Sequence, residues 1–288
     1  VDRSRGLGDV YKRQEQEWAR FVGTKYCVAT SSGAGALIAG LTAVKYIRGL
    51  KAGTKVITSP LTYIATSSAI SMVGFEPVYV DVDLETFGII PEEVRALLKR
   101  ARNPGRYSII LPVHLMGYPV PMDEINAIAE EYGLTTFEDA AQAHGTLYNG
   151  KKAGSLSSLA DFSFYVAHNI QAGEMGAITT DDAEVDRLVR KIKAQGRACD
   201  CLICTRDKGV CPLIEAYEGD DDFDPRFVHD VIGYNFKAME FQAALALTQL
   251  RIIDQIVERR KQNVRYLNER LREYEGILRL PRYSDQVS

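Results

Sequence analysis

Four of the five cysteines, Cys199, Cys201, Cys204 and Cys211, fall within thirteen residues, while Cys27 stands far upstream. Structural cysteines are usually buried singly, so thiols at this spacing point to a metal or a redox role. Thiolate count alone does not separate iron from zinc. Further chemistry is spread along the chain. His168 sits in Asp161-Phe162-Ser163-Phe164-Tyr165-Val166-Ala167-His168-Asn169-Ile170; an imidazole moves protons near neutral pH, or fills space as a structural side chain. Asp139, in Phe137-Glu138-Asp139-Ala140-Ala141-Gln142-Ala143-His144-Gly145, can pair with a cationic ring nitrogen or cap the following turn. Ser31-Ser32-Gly33-Ala34-Gly35 offers small residues where a helix begins. Backbone N–H groups and the positive end of the helix dipole suit a phosphate there.

The elements that must position these residues alternate. Short β-branched runs at 26–30, 55–58, 77–80, 108–113, 135–138, 162–164 and 177–180 read as buried strands. Helical patterns at 34–47, 64–72, 91–100, 121–132 and 182–195 lie between or after them. Alternation of this kind predicts an α/β fold with a mainly parallel sheet, helices on both faces, and ligands at the carboxyl ends of the strands. Asp139, His168 and the turn at 31–35 each come soon after a predicted strand. Residues 198–230 read as a long, acidic, cysteine-bearing loop, and 239–274 as one long helix.

Together the segments resemble the DegT/DnrJ/StrS family of sugar aminotransferases, from about residue 15 to 288. That resemblance implies a fold-type-I enzyme of pyridoxal phosphate. The stretch from Phe162 to Ala177 is similar to F-S-F-Y-x-x-K-N-x-x-x-G-E-G-G-A, whose lysine holds the cofactor as a Schiff base. His168 takes the lysine's place and cannot form that covalent imine. Within the family this exchange marks the branch of nucleotide-linked 4-keto-6-deoxyhexose 3-dehydratases. By the resemblance to E-D-A-A-Q-A-x-G, Asp139 pairs with the pyridinium nitrogen and Gln142 lies beside the phenolic oxygen of the ring. The turn with Ala34 and Gly35 is similar to the phosphate-cradling S-G-T-x-A, with Ala34 where a threonine normally sits. Tyr63 matches a ring-stacking aromatic and Ser163 a hydroxyl on the phosphate. Asn235, in Gly233-Tyr234-Asn235-Phe236-Lys237, matches an asparagine that reaches the other subunit's phosphate, which implies a homodimer. His114 falls near the expected site as a support for sugar or ring; His144 and His229 read as structural.

The same resemblance extends to the thiols. Iron–sulfur-dependent 3-dehydratases carry a C-x-C pair like Cys199 and Cys201, but the position two residues past the aspartate, where a further ligand is usual, is Ala141. Cys204 and Cys211 would have to complete a [2Fe–2S] set; zinc, or no metal, is the alternative. The implied function is a pyridoxamine or pyridoxal phosphate-dependent dehydratase in deoxysugar and lipopolysaccharide O-antigen biosynthesis. An NAD(P)H-dependent reductase would be its partner if the cluster is present. A nucleotide-sugar aminotransferase, or a non-catalytic cofactor-binding homologue, is the alternative.

Composition bounds the rest. The 288 residues are 46% hydrophobic and 25% charged with a net charge of −3, enough for one large unit and without a basic footprint for nucleic acid or anionic membrane. No apolar run reaches the roughly 20 residues of a membrane span, and no secretory signal is evident, so a cytoplasmic protein is expected. Residues 1–14 lack an apolar period and read as a non-native leader. Residues 15–238 form the expected large domain, and 239–288 the long helix and the start of a truncated small domain.

Overall fold

The computed structural model describes residues 9–199, 210–217, 224, 227–280 and 286–287. Helix α1 (Asp9–Val22) leads into strand β1 (Tyr26–Thr30) and helix α2 (Gly33–Ile47). Then come β2 (Lys55–Thr58), α3 (Ile64–Met72), β3 (Glu76–Tyr79), α4 (Pro91–Arg100), β4 (Tyr107–Leu111), α5 (Met122–Tyr132) and β5 (Thr135–Asp139). A two-stranded hairpin, β6 (Leu147–Tyr148) and β7 (Lys151–Lys152), precedes β8 (Leu159–Ser163), β9 (Gly176–Thr180) and α6 (Ala183–Lys193). A short helix α7 (Pro212–Glu215) is followed by α8 (Glu240–Leu250) and α9 (Ile253–Leu271).

Seven strands form one sheet in the order β1-β9-β8-β5-β4-β2-β3. The pairs β3–β2, β2–β4, β4–β5 and β5–β8 are parallel, and β9 runs antiparallel to both β8 and β1. One reversed strand therefore lies between β1 and β8. The other six end at the same edge, which brings the turns after β1, β2, β3, β4, β5 and β8 to one side of the sheet and leaves the turn from β9 into α6 on the other.

Both faces are covered, as near-continuous apolar strands require. On one face, Val56, Ile109, Phe137, Leu159 and Ile178 meet α2, α3 and α6. Gly40 of α2 has no room for a side chain, because a Cβ there would lie 2.6 Å from the Phe137 ring. On the other face, Trp18 of α1 is 1% exposed. Its ring meets Phe162 and Phe164 edge-on at 5.0 Å between centroids. Such pairs contribute about 0.5–1.5 kcal/mol each beyond burial. Ile57 and Ile110 pack with α4 and α5 on this second side.

Two expectations need correction. Helix α1 starts at Asp9, with Gln14 1% exposed, so residues left outside the expected fold take part in it. The helical period of 239–274 is divided: α8 ends at Leu250 and α9 starts at Ile253, with a 3-10 turn at Arg272–Tyr274. No glycine or proline marks the break, which is why periodicity alone read through it. Among the described residues no helix is long and apolar enough to cross a membrane.

Candidate active site

The carboxyl ends of β1, β5 and β8 carry the site. Thr30 closes β1, and the helix that follows is capped by Ser32, whose Oγ accepts from Gly35 N at 3.0 Å. A Cβ on Gly33 would lie 2.6 Å from Ser163 Cβ. A Cβ on Gly176 would lie 2.2 Å from Ser32 O. Glycine at 33 lets the end of β8, and glycine at 176 the start of β9, come up against the start of α2. The result is a tight turn of small residues at a helix start, with Ala34 exposed and the Ser163 side chain against Gly33. This geometry fits a phosphate dianion.

Asp139 ends β5 and is 6% exposed. Thr66 Oγ1, on α3, donates to its Oδ2 at 2.7 Å, and Ala141 N donates to its Oδ1 at 3.3 Å. Thr62 Oγ1 lies 2.8 Å from Thr66 Oγ1; since Thr66 gives its proton to the carboxylate, Thr62 is the donor in that pair. Burial raises the Asp139 pKa, and Thr66, Ala141 and then the nearby His114 and His168 pull it back. A buried carboxylate with two donors and spare lone pairs is suited to hold one more cation. Thr66 was not singled out in the sequence, where nothing distinguishes it from other helix threonines.

His168 is half-buried in the loop after β8. Its Nδ1 lies 3.0 Å from Ser163 O. A carbonyl only accepts, so Nδ1 carries the proton and Nε2 keeps its lone pair. Burial lowers the His168 pKa, opposed by the Ser163 contact and by Asp139. The ring is thus a neutral proton acceptor held in one tautomer. His144 lies 6.2 Å away between ring centroids. It is buried against Trp18, Phe162 and Phe164, and burial, with the nearby His168, lowers its pKa to about 3.

The remaining expected residues fall into place unequally. Tyr63 precedes α3 with 76% of its surface exposed, open for an aromatic ring to stack on. Gln142 Oε1 accepts from Met116 N at 2.6 Å, so its amide nitrogen is the part left to face a ligand. His114 does not reach into the site: its Nε2 meets Glu138 Oε2 at 2.9 Å, with both side chains fully buried. That carboxylate also accepts from Gly154 N, Leu156 N and Ser157 Oγ, each at 2.8 Å. Asn235 is exposed and accepts from Lys237 Nζ, on a segment that bridges back to Ala194. His229 pairs through Nδ1 with Gln195 O at 3.0 Å.

The cysteine segment is pinned at its base, where Arg197 bridges His229 and Ala198 N donates to Val228 O at 3.0 Å. Cys199 stands just past that base and Cys211 precedes α7; Cys201 and Cys204 lie outside the described residues. Among the described residues no group of His, Cys, Asp or Glu could hold a metal, and the expected cluster finds no support there.

A mostly parallel sheet with one reversed strand, a glycine-rich turn into a helix after β1 and an acid at the end of β5 belong to the fold of type I pyridoxal phosphate enzymes. The chain belongs to the DegT/DnrJ/EryC1/StrS aminotransferase family, whose model matches residues 3–287. It is 34% identical, over 88% of its length and 62% of the relative's, to a UDP-2-acetamido-2-deoxy-3-oxo-D-glucuronate aminotransferase of Pseudomonas aeruginosa. It is 33% identical, over 93% of its length and 58% of the relative's, to a dTDP-4-dehydro-2,6-dideoxy-D-glucose 3-dehydratase of Saccharopolyspora spinosa. Among solved structures it is similar to a histidine-to-asparagine mutant of GDP-4-keto-6-deoxymannose-3-dehydratase with bound GDP-perosamine. That likeness has a TM-score of 0.79 and 27% identity, covering 92% of this chain and 65% of the other. The chain spans about three fifths of the length of the curated relatives it matches.

Proposed function

We propose that this chain is the cofactor-binding part of a vitamin B6-dependent 3-dehydratase acting on a nucleotide-linked 4-keto-6-deoxyhexose. The observation that carries this reading is His168, a neutral imidazole with its acceptor nitrogen free, where the family's aminotransferases have lysine. Residues 161–177 contain no primary amine. Pyridoxamine phosphate, when bound, supplies an amine for the sugar's keto group and a ring that takes up electron density.

The chain's own residues do the rest. The N–H groups at the start of α2 and the Ser163 hydroxyl hold the phosphate. Tyr63 covers the ring, and the Gln142 amide faces its phenolic oxygen. Asp139, oriented by Thr66 and Ala141 N–H, keeps the ring nitrogen protonated. His168 Nε2 would accept the proton released beside the amine and, as imidazolium, would return it to the sugar's 3-hydroxyl, which departs as water. Asn235 serves the phosphate of a second copy of the chain, so that the working form is a homodimer.

The test is to incubate the protein with pyridoxamine phosphate and a 4-keto-6-deoxyhexose nucleotide and to identify the product by mass. A sugar lacking the 3-hydroxyl is expected. A 4-amino sugar would replace this reading with that of an aminotransferase.

A further inference from the structure

Asp161 is fully buried, and neither of its carboxyl oxygens finds a hydrogen-bond partner. It stands in register with Asp139 on the neighbouring parallel strand. Adjacent strands lie about 4.8 Å apart, and the two side chains share a face. Leu159 and Ser163, two residues either side of Asp161, pack against α2 or its first residue; Phe137, two residues before Asp139, also lies under that helix. Among the described residues, Asp139 and Glu138 are the charged groups that act on Asp161. Helix α2 brings no titratable side chain over residues 33–44, α3 brings Thr66 to Asp139, and the β9 neighbour is Ile178. Glu138 lies on the opposite face within its own network, while His114 and His168 act on Asp139.

We propose that Asp161 is a second carboxyl of the cofactor site, a positioning residue that works through Asp139. In the empty site the two carboxyls carry one negative charge between them. When the protonated ring nitrogen meets Asp139, the second proton leaves the pair for solvent.

The physical basis is the cost of two adjacent buried charges. A carboxylate without donors is costly to ionise in a low-dielectric interior, and a like charge next to it adds to that cost. Burial first, then Asp139, raise the Asp161 pKa well above the usual carboxylate range. The pair therefore titrates as a unit and not as two separate groups. A cation against Asp139 offsets the repulsion and makes the second ionisation possible. Asp161 has a further consequence for the empty protein. A carboxyl whose folded pKa is raised binds a proton that the unfolded chain has already released, so stability falls as pH rises from its unfolded pKa towards its folded one.

This inference rests on the proposed role of Asp139, and the test separates the two. Pyridoxal phosphate affinity and the melting temperature without cofactor are measured from pH 6 to 9 for wild type, Asp161→Asn and Asp161→Val. Both variants should show a shallower fall of the melting temperature of the empty protein as pH rises. Relative to wild type, their dissociation constants for the cofactor should weaken as pH rises, by up to about tenfold per pH unit for one linked proton. Identical pH profiles in all three proteins would overturn the role of Asp161 while leaving that of Asp139 standing. Wild type that binds no pyridoxal phosphate at any pH would overturn both. The Val variant guards against an Asn amide that is itself unsatisfied in the core.

Discussion

At the scale of single residues, the proton acceptor is set by a backbone carbonyl. Ser163 O fixes the His168 tautomer, and burial lowers the ring's pKa. A group that works deprotonated, with its pKa below the usual value, stays competent into mild acid. The acid limb of the rate profile is therefore expected below pH 6.5, with activity rising as pH increases through that limb. His168→Asn should cost about a hundred- to ten-thousandfold in rate, as loss of a general base does, with little change in cofactor affinity. An unaffected rate would move the base elsewhere. Attachment can be checked directly. Borohydride treatment of the wild-type complex should leave no covalent adduct by intact mass, whereas His168→Lys should acquire one at residue 168. An adduct on Lys151 or Lys152 of the wild type would mean that the amine had only shifted position.

At the scale of elements, much of the scaffold could be read from the chain. The runs at 26–30, 55–58, 64–72 and 91–100 match β1, β2, α3 and α4 to the residue, because their β-branched or amphipathic patterns end at clear turn signals. The antiparallel course of β9 could not be read, since period-two burial is the same in either direction. The network around Glu138 was also invisible. An acidic residue in a strand is ordinarily solvent-facing, and only the folded backbone brings Gly154, Leu156 and Ser157 round to it. Glu138→Ala should lower stability by at least about 3 kcal/mol, because several buried donors lose their acceptor together and each costs about 1–3 kcal/mol; thermal or urea unfolding measures it. His144 gives a second, pH-dependent check. Its pKa falls to about 3 in the folded protein, so the unfolded chain takes up a proton that the native one refuses between about 6.5 and 3. Stability should therefore decrease as pH drops through that range, by up to about 1.4 kcal/mol per unit. His144→Phe should flatten that part of the unfolding curve.

For the whole molecule, the site is assembled from residues that the sequence keeps far apart, and the family resemblance is what linked them before the sheet order was known. Asp161 escaped that reading because no motif position distinguishes it from the strand residues beside it. Exposed apolar groups, Tyr63, Ile64, Ile232, Met239 and Phe241 among them, accompany the expectation of a dimer with Asn235 at the shared site. Light scattering should give twice the chain mass. Asn235→Ala should weaken cofactor binding without dissociating the dimer. Tight binding by a strict monomer would remove Asn235 from the site.

The close approach of Gly33 to Ser163 also has a kinetic consequence. The start of α2 and the end of β8 lie far apart in the chain, with β9 between β1 and β8 in the sheet. Contacts of such long sequence separation form late, since the chain entropy of closing them must first be overcome. A ligand that bridges this junction has nothing to hold in a partly folded chain. Cofactor should therefore leave the refolding rate almost unchanged and slow unfolding instead, so its protection would appear as a longer native lifetime.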